Sequence, residues 1–146
     1  MKILIDADGC PVTKIAVETA SNAGIKAVIY CDTSHEFSNT GAEVITVSKG
    51  ADSADFALVN DAQKGDIVIT QDYGLAAMAL AKKAVPLTQN GLIISDKNID
   101  SLLMSRHAAK AARRAGKHLK GPSKRTEKQN KDFKAALLSL IKANLS

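Results

Sequence analysis

The stretch GDIVITQDYGLA, residues 65–76, decides the predicted fold of this chain. Its residues 66–70 form an apolar run without polar alternation, which is typical of a strand buried on both faces of a parallel sheet. A helix is predicted directly afterwards, at 73–83, with Leu75, Met78 and Ala79 on its buried face. Strand and helix therefore meet at Asp72, as they do at the carboxyl edge of an α/β sheet.

The same order of strand and helix recurs on the amino-terminal side of this stretch. The pattern predicts strands at 2–6, 27–31 and 43–47 and helices at 11–23 and 52–63. Such alternation predicts a mainly parallel central sheet with helices on both faces, the three-layer α/β class. On the carboxyl-terminal side, segments 85–88 and 92–95 flank Asn90-Gly91, a turn signal that predicts an antiparallel hairpin at the sheet edge.

Two further helices are predicted towards the carboxyl-terminal end. The first covers 98–115, and the second begins at Thr126, where Thr126 and Gln129 fit a capping box. The second helix has an apolar face that needs a core to pack on, formed by Phe133, Leu137, Leu140 and Ile141. We therefore predict a single domain over 1–146, with a basic helical part at about 98–146 packed on the body.

The charge of the chain is unevenly distributed. Residues 1–104 contain 8 Lys and Arg against 13 Asp and Glu, whereas residues 105–146 contain 12 against 2. An acidic body with a basic end suits a polyanionic partner such as nucleic acid. The alternative is that the lysine-rich helices only keep the chain in solution.

The composition, 45% apolar and 24% charged, is typical of a globular protein. No apolar run approaches the roughly 20 residues that cross a bilayer, and the first residues do not resemble a signal peptide. Two cysteines, Cys10 and Cys31, are too few for a disulfide scaffold. We expect a cytoplasmic protein with reduced cysteines and no membrane partner.

Five aspartates are predicted to gather at the carboxyl edge of the sheet. Asp6 and Asp8 follow the first strand, Asp72 follows the fourth, and Asp52 and Asp55 lie in the first turn of a helix that starts at the same edge. Carboxylate oxygens favour Mg²⁺ or Mn²⁺, which can activate water and hold phosphate oxygens. The alternative for each is structural: helix capping for Asp52, Asp55 and Asp72, and a turn for Asp6 and Asp8.

A stripe of basic side chains is predicted on the helix at 98–115 and the loop after it. These residues recur at spacings of three or four and then continue into the loop: Arg106, His107, Lys110, Arg113, Arg114, Lys117, Lys120, Lys124 and Arg125. Like charges at this spacing repel one another, so the stripe is expected to bind a phosphate backbone without sequence specificity. A solvated helix face is the alternative.

Four stretches together resemble the YaiI/YqxD family of bacterial proteins. They are residues 6–12 (DADGCPV), residues 51–55 (ADSAD), the opening stretch 65–76, and the basic run from Arg106-His107 to Lys120-Gly121-Pro122. The fold of that family resembles PIN-like nuclease domains, and the resemblance covers essentially the whole chain.

The PIN-like resemblance implies a metal-dependent nuclease that hydrolyses phosphodiester bonds, with RNA as the expected partner and Mg²⁺ or Mn²⁺ as cofactor. It implies metal ligands at Asp6, at Asp52 or Asp55, and at Asp72, while Asp8 has no fixed counterpart. We assign catalysis to Asp6, Asp8 and Asp72, and metal binding to all five aspartates.

Two other functions fit parts of the sequence. Asp6-x-Asp8 resembles the nucleophile and acid/base pair of haloacid-dehalogenase-type phosphatases, although Cys10 stands where that pattern has Thr or Val. The chain can instead be a non-catalytic nucleic-acid-binding domain with a degenerate site. Cys10 itself is predicted to be a buried small residue rather than a nucleophile.

Overall fold

A computed structural model describes residues 1–32, 37–48, 53–117 and 124–145 of the chain. The five strands are β1 (Lys2–Asp6), β2 (Lys26–Cys31), β3 (Glu43–Thr46), β4 (Ile67–Ile69) and β5 (Val85–Leu87). The five helices are α1 (Thr13–Asn22), α2 (Ser53–Asp61), α3 (Tyr73–Ala81), α4 (Ile99–Arg114) and α5 (Glu127–Leu145).

The strands form one parallel sheet in the order β3-β2-β1-β4-β5. The central strand β1 pairs with β4 in a register that places Ile3 beside Ile67 and Ile5 beside Ile69. The residues that follow these two strands therefore emerge side by side at one edge. The predicted three-layer α/β class is confirmed, and the arrangement is consistent with the PIN-like fold that the resemblance implies.

Alternate strand residues point into two different cores, because side chains alternate across a sheet. Ile3 and Ile5 belong to the core that α1 and α5 cover, whereas Leu4 belongs to the core that α2 and α3 cover. All three are completely buried. Burial on both faces explains why these strands lack polar alternation in the sequence.

Helix α5 packs on the body, as its apolar face predicts. Phe133, Leu137 and Ile141 are buried in the same core as α1, and Leu140 packs against that core. The predicted capping box also forms. The backbone N–H of Gln129 donates to Thr126 Oγ1 at 3.3 Å, and the backbone N–H of Thr126 donates to Gln129 Oε1 at 2.9 Å.

The predicted edge hairpin is reduced to a turn and a single bridge. Leu87 and Ile93 make an isolated antiparallel bridge, and the described residues of the return segment form no further strand. Pro86 explains the short pairing. Its carbonyl accepts a hydrogen bond from the N–H of Ile94 at 2.9 Å, but proline has no N–H with which to complete the ladder.

The inward face predicted for α3 is partly wrong. Leu75 and Ala79 are buried, but Met78 is exposed and Ala76 is buried in its place. Ala76 packs in a small core with Ile94 and Ile99, because α4 covers this side of α3. The burial of Ala76 follows from the presence of α4, which the sequence pattern of α3 alone does not reveal.

No helix in the described parts of the chain is both long enough and apolar enough to cross a membrane.

Candidate functional site

Asp6 and Asp72 are linked through one buried threonine at the carboxyl edge of the sheet. Asp6 is the last residue of β1, and Asp72 directly precedes α3. Thr70 donates its hydroxyl hydrogen to Asp6 Oδ2 at 2.8 Å and accepts a hydrogen bond from the N–H of Asp72 at 3.0 Å. Thr70 therefore fixes the Asp6 carboxylate relative to the turn that carries Asp72.

The pKa of Asp6 is raised above its ordinary value. Burial is the largest cause, and repulsion from Asp72 and Asp8 adds to it, while the hydrogen bond from Thr70 acts in the opposite direction. The charges of the three aspartates therefore interact. A cation among them would offset both the cost of desolvation and the repulsion.

Asp72 caps helix α3. Its Oδ1 accepts hydrogen bonds from the N–H groups of Gly74 at 2.8 Å and Leu75 at 3.2 Å. The helix-capping role that the sequence allowed for Asp72 is thus confirmed, and it uses one of the two carboxylate oxygens. The hydrogen bonds to this side chain within the described residues use Oδ1, and Asp72 also lines a cavity at this edge.

Asp8 lies on the exposed side of the same edge. Its Oδ2 accepts a hydrogen bond from the backbone N–H of Asp32 at 3.0 Å. This bond links the loop after β1 to the end of β2. Asp8 is therefore held near Asp6 from a neighbouring strand.

The three aspartates share a cavity with basic side chains. The cavity has a volume of about 560 Å³, and its lining includes Asp6, Asp8, Gln71, Asp72, Tyr73, Leu103, Arg106, His107 and Lys110. The basic side chains come from α4, which packs beside α3. Two features that the sequence suggested separately, an acidic cluster and part of a basic stripe, therefore line one cavity.

A second, smaller cavity lies directly behind the carboxylates. Its volume is about 40 Å³, and its lining includes Gly9, Cys10, Thr70 and Gln89. Asp6, Asp8 and Gln71 line both cavities, so these three residues form the boundary between them.

The carboxylates fit Mg²⁺ or Mn²⁺ only in a partly hydrated form. Within residues 1–32, 37–48, 53–117 and 124–145, no three His, Cys, Asp or Glu side chains are arranged as a ready metal cage. Mg²⁺ typically keeps several waters and binds through one or two carboxylates together with substrate phosphates. Asp6 with Asp72 or Asp8 is a donor set of that kind.

In the part of the chain that it describes, the structure does not place the two aspartates predicted from the mid-chain helix in either cavity. Asp55 is half-buried in the first turn of α2, and it is not among the described residues that line either cavity. Asp52 lies outside the described residues. Metal binding by Asp52 and Asp55 stays a prediction.

The basic stripe divides into a part inside the cavity and a part beyond it. Arg106, His107 and Lys110 line the cavity, and the Arg106 guanidinium lies 5.6 Å above the ring of Tyr73. The other described members with exposed side chains are Arg113, Arg114, Lys117 and Lys124. Lys120 lies outside the described residues. The stripe can therefore guide a polyanion along α4 towards the carboxylates.

Arg125 is bound within the protein rather than displayed on its surface. Its Nε donates to Asn130 Oδ1 at 2.7 Å, its Nη1 to Asn90 Oδ1 at 2.7 Å, and its Nη2 to the carbonyl of Gln89 at 2.6 Å. These bonds occupy all three guanidinium nitrogens. A phosphate bound to Arg125, as predicted from the sequence, would compete with these internal hydrogen bonds.

Both cysteines are thiols, Cys31 buried and Cys10 half-buried. Burial raises the pKa of the Cys10 thiol, with hydrogen bonds at Thr13 and Val12 acting in the opposite direction. A raised pKa leaves less thiolate, which agrees with a packing role rather than a nucleophilic one.

Sequence reasoning missed Gln71, Gln89 and Tyr73 as lining residues. Gln71 lies inside the opening stretch, directly before Asp72, and its position after a buried strand was the available signal. The position of Gln89 depends on the turn after β5, and no sequence spacing reports it.

Comparison with known proteins gives full-length matches. A model of the family described as "Uncharacterized BCR, YaiI/YqxD family" matches residues 4–143. The chain is 47% identical over 141 residues to a UPF0178 protein of Exiguobacterium sibiricum, covering 97% of this chain and 96% of the relative. It is 50% identical over 142 residues to a UPF0178 protein of Ruminiclostridium cellulolyticum, covering 97% and 93%. No solved structure matches the chain significantly.

Proposed function

This chain belongs to the YaiI/YqxD family, and we propose that it is a divalent-metal-dependent nuclease that hydrolyses phosphodiester bonds of nucleic acid, with RNA as its substrate. One observation carries the proposal. A single cavity of about 560 Å³ is lined both by Asp6, Asp8 and Asp72 and by Arg106, His107 and Lys110. Carboxylates alone would repel a phosphate, and the positive charges of Arg106 and Lys110 would offset that repulsion.

In this proposal the acidic side chains bind the metal ion, and the basic side chains bind the phosphates of the substrate. Asp6 and Asp72 would hold Mg²⁺ or Mn²⁺, with Asp8 completing the acidic cluster, and Thr70 keeps Asp6 oriented. When bound, the ion would supply activation of water and neutralisation of charge on the phosphate. Arg106 and Lys110 would bind the phosphates next to the scissile one, because both side chains line the same cavity.

The direct test is cleavage of labelled RNA and DNA oligonucleotides with Mn²⁺, with Mg²⁺ and with a chelator. Cleavage that requires the ion is expected. Asp72→Asn is the test variant for this site, because asparagine is as good an N-cap as aspartate but lacks the charge. Loss of cleavage in Asp72→Asn at unchanged melting temperature would assign the activity to this site and not to a contaminant.

The same panel separates the alternatives. Binding of oligonucleotides without cleavage at any metal concentration would identify a non-catalytic binding domain. Release of inorganic phosphate from a simple phosphate monoester, with intact oligonucleotides, would identify a phosphatase. Either result overturns the nuclease proposal.

A further inference from the structure

We propose that Gln71 binds the substrate phosphate through its side-chain NH₂ group, and that Arg125 holds this amide in position through Gln89. The inference rests on the proposed function, and it adds a neutral phosphate-binding group to the acidic cluster of the site. It also gives Arg125 a role different from the surface contact that its sequence position suggests.

Gln71 lies at the boundary between the two cavities. It lies between Thr70 and Asp72, and it lines both the large and the small cavity together with Asp6 and Asp8. A phosphate bound between these carboxylates and the basic residues of the cavity would therefore lie near the Gln71 side chain. The residue is exposed, so a ligand can reach it.

The orientation of the amide follows from its partner. The backbone N–H of Gln89 lies 2.7 Å from Gln71 Oε1. A backbone N–H can only donate, so the oxygen of the amide must face Gln89 and the NH₂ group must face away from it. The usual ambiguity between the oxygen and nitrogen of a glutamine is thereby removed.

An NH₂ group at this position is suited to binding a phosphate. It offers two hydrogens to anionic oxygens, and it carries no charge that would compete with a metal for the carboxylates. Donors that are already oriented before the reaction stabilise developing negative charge without reorganising. The acidic cluster thus has one neighbouring group that attracts the substrate.

Arg125 determines where Gln89 lies. Its Nη2 donates to the Gln89 carbonyl at 2.6 Å, while Nη1 and Nε bind Asn90 and Asn130. The turn also lies directly on α5, because a Cβ on Gly91 would come within 2.7 Å of the Asp132 carbonyl oxygen. Helix α5 and Arg125 therefore fix the turn, the turn fixes Gln89, and Gln89 fixes Gln71.

The test follows the side-chain NH₂ signals of Gln71 by ¹H–¹⁵N NMR, with inorganic phosphate and Mg²⁺ as the probe. The signals are assigned by their loss in Gln71→Ala. In the unmodified chain they should shift on titration with phosphate, and Gln71→Ala, which removes the amide without adding a charge, should weaken phosphate binding by about tenfold, the loss expected for one hydrogen bond to a charged group.

The relay is tested with Arg125→Lys and, as its control, Lys134→Ala. Lysine keeps the charge but cannot form the planar fork that binds three acceptors. Arg125→Lys should therefore broaden or move the Gln71 signals and weaken phosphate binding, whereas Lys134→Ala changes an exposed residue of α5 beside α1 and should leave both unchanged. Unchanged Gln71 signals in Arg125→Lys would overturn the relay.

The inference and the proposed function fail in different ways. If phosphate shifts the Gln71 signals but no oligonucleotide is cleaved, the nuclease proposal fails and the phosphate contact stands. If oligonucleotides are cleaved, phosphate does not shift the Gln71 signals and Gln71→Ala does not weaken phosphate binding, the nuclease proposal stands and the role of Gln71 is overturned.

Discussion

At the scale of single residues, Asp6 holds its charge at a cost to stability. Its pKa is raised in the folded protein, so ionising it opposes folding, and this penalty grows as the pH rises from the unfolded pKa through the folded one. Asp6→Asn should abolish cleavage while leaving the melting temperature at pH 7 unchanged or raised by up to about 4 °C. Thermal unfolding of both proteins at pH 7 measures this.

A large loss of stability in Asp6→Asn would contradict that prediction and make Asp6 a structural residue. The asparagine oxygen can still accept the hydrogen bond from Thr70, so loss of that contact would not be the explanation. The difference in melting temperature that comes from the charge of Asp6 should also disappear at a pH below about 3.8, where the aspartate is protonated in both the folded and the unfolded chain.

Asp66 should behave in the opposite way. Burial alone would raise its pKa, but hydrogen bonds from Lys2 and from the N–H of Gln63 outweigh that effect and hold the pKa below its ordinary value. Its ionised form therefore stabilises the fold above about pH 4, and this contribution is lost as the pH falls through the lowered pKa.

Asp66→Asn should accordingly destabilise the protein by about 1.5–3 kcal/mol at pH 7, the range for hydrogen bonds to a charged group. Urea unfolding at pH 7 and at pH 3 provides the measurement, with a smaller difference expected at pH 3. Equal stability of Asp66→Asn and the unmodified chain at pH 7 would show that the Lys2–Asp66 pair contributes nothing.

The roles of these residues could be predicted from the sequence only in part. Asp6, Asp8 and Asp72 follow strands, and strand ends meet at one edge in any parallel sheet, so their proximity was predictable. The partners of Arg125 were not, because two of them belong to a turn 35 and 36 residues earlier in the chain. Local patterns report which edge a residue reaches but not which distant groups it binds.

At the scale of the elements, α4 should control affinity for nucleic acid. Arg113 and Arg114 lie at its exposed end, beyond the cavity. Each phosphate neutralised on a single strand contributes a slope of about −0.7 to the dependence of log affinity on log salt concentration. Replacing both by alanine should reduce the magnitude of the slope by about 1.4 and weaken all sequences alike. Fluorescence anisotropy with short RNA at several salt concentrations measures the slope.

Lys131→Ala with Lys134→Ala is the matched control for that experiment. Both lysines are exposed on α5 beside α1, on the other face of the sheet, and their removal changes the net charge by the same amount. Equal slopes for the two double variants would mean that net charge, and not the face of α4, sets the affinity.

The elements themselves were largely readable because the patterns that define them are local. Buried strands lack polar alternation, and Thr126 with Gln129 marks the start of α5. The edge hairpin shows the limit. The Asn90-Gly91 turn is present, but Pro86 withholds the N–H that a second strand would need.

At the scale of the whole molecule, α5 and the sheet should unfold together. Phe133 is completely buried in the core that α1 and β1 share. Phe133→Ala should destabilise the protein by about 3–5 kcal/mol, the usual cost of removing a buried aromatic ring. Far-UV circular dichroism and tyrosine fluorescence in urea should give coincident transitions at a lower midpoint. Two separate transitions would show instead that α5 is an appendage.

The packing of α5 on α1 also has a consequence for biosynthesis. A ribosome delivers the chain from its amino end, and β1, which pairs with β4, emerges long before Arg125 and α5. Until α5 arrives, α1 lacks its cover and the turn that carries Gln89 lacks its anchor. Ribosomal RNA is the nearest polyanion to the growing chain, and on the proposed function we expect a nascent chain that lacks α5 to leave it intact, because its phosphate site is not yet assembled.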